Sequence, residues 1–264
     1  MQFPKVFFAP ANGFPGASYK YLLQPLQSSY SIHFIDRVGH QPHYPVDPNW
    51  QRLVDEYLEL LHQAVGKQPV LAVGHSLGGV LSYMAALRAP ERFTKLVLLD
   101  PPLLTGLDSL GLKLAKRLGF IDRVTPAGVT RGRRQHWPSK EAALNYFQSK
   151  KLFARFHPAC LQDYLEAGLE PDPSKGGLRL RFQPSVELAI FRNLADHLTG
   201  SHKHLKVPAH LITGQQSDLI TPQRAKKLEK MGFSCHSVTG GHMFPLEHPE
   251  LTRQQLARIF SLKE

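Results

Sequence analysis

Three observations predict an α/β protein built on a mostly parallel sheet. Apolar runs of strand length alternate with amphipathic helical stretches along much of the chain. A glycine-flanked serine turn joins one such strand directly to the next helix. The alternation stops near residue 101 and resumes near residue 201. Residues 1–100 and 201–264 therefore read as one core, and residues 101–200 as a mostly helical cap inserted between two core strands.

The elements follow in order. Residues 6–9 and 31–35 are short apolar strands. Residues 47–65 read as a helix, because Trp50, Leu53, Val54, Tyr57, Leu58, Leu60 and Leu61 recur at helical spacing. Residues 70–73 form a strand and 77–88 a helix that Pro90 stops. Residues 95–99 form the next strand. After the interruption come a strand at 207–213, a helix at 222–231, a strand at 234–238 and a closing helix at 250–262. Alternation of this kind puts helices on both faces of a parallel sheet. The interruption opens with Pro101-Pro102 and is punctuated by Pro126, Pro138, Pro158, Pro171, Pro173, Pro184 and Gly176-Gly177. It shows no strand periodicity.

The serine turn is Gly74-His75-Ser76-Leu77-Gly78-Gly79, a strand–turn–helix layout that serves as a nucleophile elbow. Such a turn lifts the Ser76 hydroxyl clear of the sheet edge. It also aims helix-start N–H groups at the point where an oxyanion would develop. Glycines two residues before and after the serine avoid collisions with the neighbouring strand and helix. The pattern alone is weak, so the surrounding sequence must support it.

Composition sets the boundaries. The chain has 264 residues, 42% hydrophobic and 20% charged, enough for one large domain or two small ones. No apolar run reaches the roughly 20 residues of a membrane span. The opening residues run straight into a strand with no leader pattern, which implies a cytoplasmic protein. Cys160 and Cys235 form no C-x-x-C motif and read as free thiols. The 14 histidines contain no metal-ligand cluster, so no metal is expected. A net charge of +11 reads as a basic solvated surface rather than a nucleic-acid footprint. The one dense basic run, Arg131-Gly132-Arg133-Arg134, is either such a face or a contact for an anionic substrate group. Oligomeric state is not legible.

Serine hydrolysis needs a base to take the hydroxyl proton and an acid to orient the base. His242, in Gly240-Gly241-His242, follows the strand ending at residue 238 and precedes the last helix. The glycines would let that loop turn the imidazole back over the sheet edge. Asp218 is the preferred acid, on the loop after the 207–213 strand. Asp100, at the end of the 95–99 strand, is the alternative. Asp36 ends an earlier strand on the far side and should be out of reach. Oxyanion donors are expected from the Leu77 N–H and from the loop Ala11-Asn12-Gly13-Phe14-Pro15-Gly16. Proline has no N–H, so Phe14 is the natural donor there. Leu103, Leu104, Leu107 and Leu110 would line an apolar acyl pocket or pack a helix core.

With these residues the chain resembles the α/β-hydrolase-fold serine hydrolases of the capped esterase, lipase and C–C hydrolase type. The resemblance rests on Asn12-Gly13-Phe14-Pro15, Asp36-Arg37-Val38-Gly39-His40, residues 74–79, residues 214–222 and Gly241-His242, and spans nearly everything but the cap. It implies cofactor-free cleavage of a carboxylic ester of a small or medium apolar acyl substrate through an acyl-enzyme, with Ser76, His242 and Asp218 as triad. Thioester cleavage, C–C cleavage, acyl transfer and a catalytically silent ligand-binding protein share this framework. Serine at 76 departs from the haloalkane dehalogenases and epoxide hydrolases, which place aspartate there. Asn12 stands where the family often has histidine. The acid loop is one residue longer than usual. The N-terminal hairpin is missing, so six strands are expected.

Overall fold

A computed structural model of the chain describes residues 3–262. Met1 and Gln2, part of the opening read for a leader, lie outside the described residues. The core strands are β1 (Lys5–Ala9), β2 (Ser31–Phe34), β3 (Val70–His75) and β4 (Phe93–Leu99). Three strands of the inserted region follow: β5 (His136–Trp137), β6 (Leu169–Pro171) and β7 (Leu178–Leu180). The core closes with β8 (Ala209–Gly214) and β9 (Ser234–Val238). The main sheet has six strands in the order β2-β1-β3-β4-β8-β9, every pair parallel.

Burial follows from position in the sheet. The central β3, Val-Leu-Ala-Val-Gly-His, is buried at every residue, as a parallel strand covered on both faces must be. The edge strands β2 and β9 are half open. Alternate residues feed two cores. Phe7, Ala72, Leu96, Leu98 and Leu211 face one side; Phe8, Val73, Val97, Leu99 and Ile212 face the other.

The helices are α1 (Lys20–Leu23), α2 (Gln51–Val65), α3 (Leu77–Arg88), α4 (Leu107–Arg117), α5 (Ile121–Val124) and α6 (Ala127–Thr130). Then come α7 (Lys140–Gln148), α8 (Pro158–Gly168), α9 (Pro184–Arg192), α10 (Pro222–Lys230), α11 (Phe244–Glu247) and α12 (Pro249–Phe260). The central helix α3 is buried almost throughout and packs on β3, β4 and α2.

Two features of residues 101–200 differ from expectation. Pro158 and Pro184 start helices rather than break them, because a first-turn position needs no N–H. The region also holds a small antiparallel sheet in the order β5-β7-β6. Its strands are two or three residues long, too short to show a two-residue period in sequence. This whole segment leaves β4 and returns at β8, two strands that are neighbours in the sheet. Phe153, Phe156 and Tyr164 of this segment pack on Phe14, in the loop that leaves the carboxyl end of β1.

Candidate active site

Ser76 sits between β3 and α3 with φ +51° and ψ −115°, a conformation that side chains rarely adopt. The glycines around it are obligatory for contact reasons. A Cβ on Gly78 would lie 2.1 Å from the Ala9 carbonyl oxygen, and one on Gly74 2.3 Å from that of Gly78. The turn is pinned by Ser76 N–H donating to Leu99 O at 2.9 Å and Gly78 N–H to Pro10 O at 3.1 Å.

The histidine loop reaches this turn. His242 Nε2 lies 3.0 Å from Ser76 Oγ, and His242 Nδ1 lies 2.7 Å from Asp100 Oδ2. A carboxylate can only accept, so Nδ1 carries the proton and Nε2 is free to accept from the serine hydroxyl. Asp100 follows β4 with φ +43°, and its N–H donates to Ile212 O at 2.8 Å, which ties it to β8. It is completely buried.

This geometry reverses the preference between the two acids. Asp218 is exposed, and the loop after β8 turns its neighbour Ser217 inward instead. The Ser217 hydroxyl donates to Asp100 Oδ2 and accepts from Leu219 N–H at 3.1 Å. The side chain this loop turns inward is one residue early and contacts Asp100, not His242. Asp36 is held by both terminal nitrogens of Arg181 at 2.9 and 2.7 Å, away from His242.

Several residues that sequence reasoning passed over hold the loop. His75, buried beneath Ser76, has Nε2 2.9 Å from the His242 carbonyl oxygen and Nδ1 2.6 Å from the Tyr19 hydroxyl. The carbonyl only accepts, so His75 Nε2–H donates and Tyr19 O–H donates to Nδ1. Burial holds the His75 imidazole well below its usual range, which keeps it neutral for this role. Glu247 accepts from Gly241 N–H at 2.8 Å and pairs with Arg155 at 3.0 Å. Gly240 takes φ +121°, and Gly214 approaches Gly241 so closely that a Cβ would lie 2.2 Å from its carbonyl oxygen. The sequence signal for His75 was its place inside the serine turn; Tyr19 and Glu247 had none.

The Leu77 amide heads α3 and makes no hydrogen bond among the described residues. The Phe14 amide closes a turn onto Ala11 O at 3.2 Å. Gly13, at φ +82°, allows that tight turn. The Phe14 ring packs at 5.0–6.1 Å between centroids on Tyr164, Phe153 and Phe156 of the inserted segment.

The basic run divides. Arg131 pairs with Asp122 and Arg134 lies over Trp137. Arg133 turns inward to Glu187 Oε2 and the Tyr164 hydroxyl, each at 2.5 Å. Burial pushes the Glu187 carboxyl above the usual carboxylate range, against the pull of Arg133. Glu187 stands over the loop after β1: its carbonyl accepts from Asn12 Nδ2 at 3.0 Å, and a Cβ on Gly13 would lie 3.0 Å from its carboxyl. A cleft of ≈ 390 Å³, lined by Arg37, Arg179, Arg181 and Pro184 among others, opens beside the start of α9; Ser76 is not part of its lining. Of the four leucines read as an acyl pocket or as helix core, Leu103 belongs to the core, Leu104 packs against it, and Leu107 and Leu110 point to solvent. No group of three histidine, cysteine, aspartate or glutamate side chains suited to a metal occurs among the described residues.

Known proteins share this framework. A hydrolase of Bacillus subtilis, YugF, is 26% identical over 226 residues, 79% of this chain and 71% of its own. A pimeloyl-[acyl-carrier protein] methyl ester esterase of Photobacterium profundum is 36% identical over 87 residues, 32% of each chain. A type I acyl-CoA thioesterase of Penicillium brevicompactum is 27% identical over 159 residues, 60% of this chain and 32% of its own. This chain thus spans about a third of the length of the latter two. The crystal structure of E-2-(acetamidomethylene)succinate hydrolase superposes with a TM-score of 0.80 at 19% identity, covering 99% of this chain and 92% of that one. The thioesterase domain of the curacin biosynthetic pathway gives 0.72 at 18% identity, covering 97% and 91%. The family's own model matches residues 6–255, and the chain belongs to the alpha/beta hydrolase family.

Proposed function

We propose that the chain is a serine hydrolase that cleaves carboxylic esters of small or medium apolar acyl groups through an acyl-enzyme. The observation that carries this reading is the continuous line Ser76 Oγ, His242, Asp100, with hydrogen-bond contacts of 3.0 and 2.7 Å. Ser76 Oγ attacks the carbonyl carbon while His242 Nε2 takes the hydroxyl proton. Asp100, rather than Asp218, fixes the imidazole tautomer and stabilises the imidazolium. The tetrahedral oxyanion is met by the Leu77 amide. The Phe14 amide joins as second donor by exchanging its long bond to Ala11 O for a charged acceptor, which binds roughly twice as strongly. Each such donor is worth on the order of 3 kcal/mol in the transition state. Collapse breaks the bond to the leaving group, which takes the proton from His242. Water, deprotonated by His242, then attacks the acyl-enzyme, and Ser76 leaves with its proton restored. No cofactor enters.

The segment between β4 and β8 acts as a cap. Phe14, Phe153, Phe156 and Tyr164 give the acyl side an aromatic wall. Thioesters fit the same chemistry, and the thioesterases among the similar proteins favour them as the second reading. The test is labelling by a fluorophosphonate probe, with a panel of p-nitrophenyl esters of increasing chain length run against Ser76→Ala. Labelling of the folded wild type and its loss in Ser76→Ala support the reading. Resistance of the folded wild type to the probe would sink it and leave a silent binding protein on this fold.

A further inference from the structure

The outward face of α4 carries leucine where a solvated helix carries charge. Leu107, Leu110, Leu114 and Leu118 are 84%, 62%, 52% and 60% exposed. At 3.6 residues per turn they fall within an arc of roughly 80°. The face that anchors α4 is the opposite one, where Ser109, Leu112 and Ala115 are buried. The leucine stripe is therefore not needed to hold the helix in place. Apolar exposure continues onto α5 and α6, which pack on one another in succession after α4 and expose Val124 and Val129. Four exposed leucines along one helix face mark a docking face.

Its charge is one-sided. Arg117 and Lys113 lie beside the stripe on the helix, and Arg123 is exposed on α5. The nearby acids are already taken: Asp108 by Arg224, Asp122 by Arg192 and Arg131. Lys113, Arg117 and Arg123 make no ion pair among the described residues.

We infer that this face seats on the surface of an anionic lipid bilayer. The leucines enter the interface, and Lys113, Arg117 and Arg123 meet headgroup phosphates. A basic amphipathic helix lying in the interface plane binds by these two terms together. A second copy of the chain is a poor occupant, since it would set the same cations against each other on a protein of net charge +11. A protein partner would need a groove matched to a protruding ridge, whereas acyl chains and headgroups rearrange around one. The attachment is peripheral: no helix among the described residues is long and apolar enough to cross a membrane. This inference is independent of the catalytic reading.

The test is co-sedimentation of the full chain with vesicles of phosphatidylcholine alone or with about one-third phosphatidylglycerol. Binding to the anionic vesicles that weakens with added salt is expected. Partitioning should fall by at least about tenfold in Leu110→Glu/Leu114→Glu and in Lys113→Glu/Arg117→Glu. Lys67→Glu/Arg258→Glu, an equal charge change at exposed positions after α2 and on α12, should bind like wild type. Circular dichroism checks each fold, and if the leucine variant does not fold the charge variant decides. Absence of wild-type binding, equal binding to neutral vesicles, or retained binding in the face variants overturns the inference. So does a dimer that dissociates in Leu110→Glu/Leu114→Glu without any vesicle binding, which would give the face to a second copy. Specific capture of an acidic protein through this face with no lipid binding overturns it equally.

Discussion

Ser76 and Asp100 share a backbone property that side-chain patterns do not announce. Both hold φ in the left-handed region, at +51° and +43°. Each such residue stores on the order of 1–3 kcal/mol of strain, which surrounding contacts must over-determine. For Ser76 those contacts are Leu99 O and the close approach of Gly78 to Ala9; for Asp100 they are Ile212 O and the His242 ring. The serine was legible because glycine spacing records its constraint in sequence. The acid was not, because both candidates end or follow a strand at the same sheet edge and only loop geometry separates them. After β8 that geometry turns Ser217 inward and Asp218 out. Asp100→Asn should therefore lower kcat for a p-nitrophenyl ester by about three to four orders of magnitude, since an amide disturbs the imidazole tautomer. Asp218→Asn should stay within about twofold of wild type. Steady-state kinetics on the two variants decides, and collapse in Asp218→Asn alone would return the acid to that loop.

At the scale of elements, tight packing of β1 against α3 makes the serine turn expensive to alter. Gly78→Ala puts a methyl 2.1 Å from the Ala9 carbonyl oxygen, so backbone must move. A loss of about 2–4 kcal/mol in urea unfolding is expected. Gly111→Ala is the converse. Its Cβ meets nothing within 4 Å in the middle of α4, and a gain of about 0.5–1 kcal/mol is expected from helix propensity. The junction of α2 with the residue 36–40 loop behaves differently. Glu56 is buried there, accepting from Gly39 N–H at 2.7 Å, and burial pushes its carboxyl up to about 7. An acid raised on folding stabilises fully below its unfolded value and loses that contribution as pH rises through about 7. Glu56→Gln should thus melt above wild type at pH 8 and level with it near pH 4, a difference thermal scans at the two values read directly. Long elements such as α2 and α3 were legible because their apolar period repeats over several turns. The strands β5, β6 and β7 were not, since their pairing depends on partners far along the chain.

At the scale of the molecule, a parallel sheet of six strands was legible from the strand–helix alternation on either side of the long excursion between β4 and β8. How the excursion returns to the loop after β1 was not, because it depends on a charge pair whose arginine belongs to a run that read equally well as solvated surface. Arg133 and Glu187 are both largely buried, and Glu187 reaches Asn12 through its backbone carbonyl. A buried pair contributes little net stability, but removing one partner strands the other charge. Arg133→Met should therefore cost about 3–5 kcal/mol at pH 7, and Glu187→Gln in the same background should recover part of that loss. Non-additivity in the urea-unfolding cycle measures the coupling; additive single variants would show that the pair is not coupled. The pH dependence gives an independent sign. Without Arg133 the Glu187 carboxyl, already raised by burial, rises further. Its neutral form is then the one the fold tolerates, so the penalty in Arg133→Met must shrink as pH falls toward the unfolded carboxylate value and be greatest above neutrality. A penalty equal at pH 5 and pH 8 would mean that lost packing of the arginine stem, not the stranded charge, is what loosens α9 from the loop after β1.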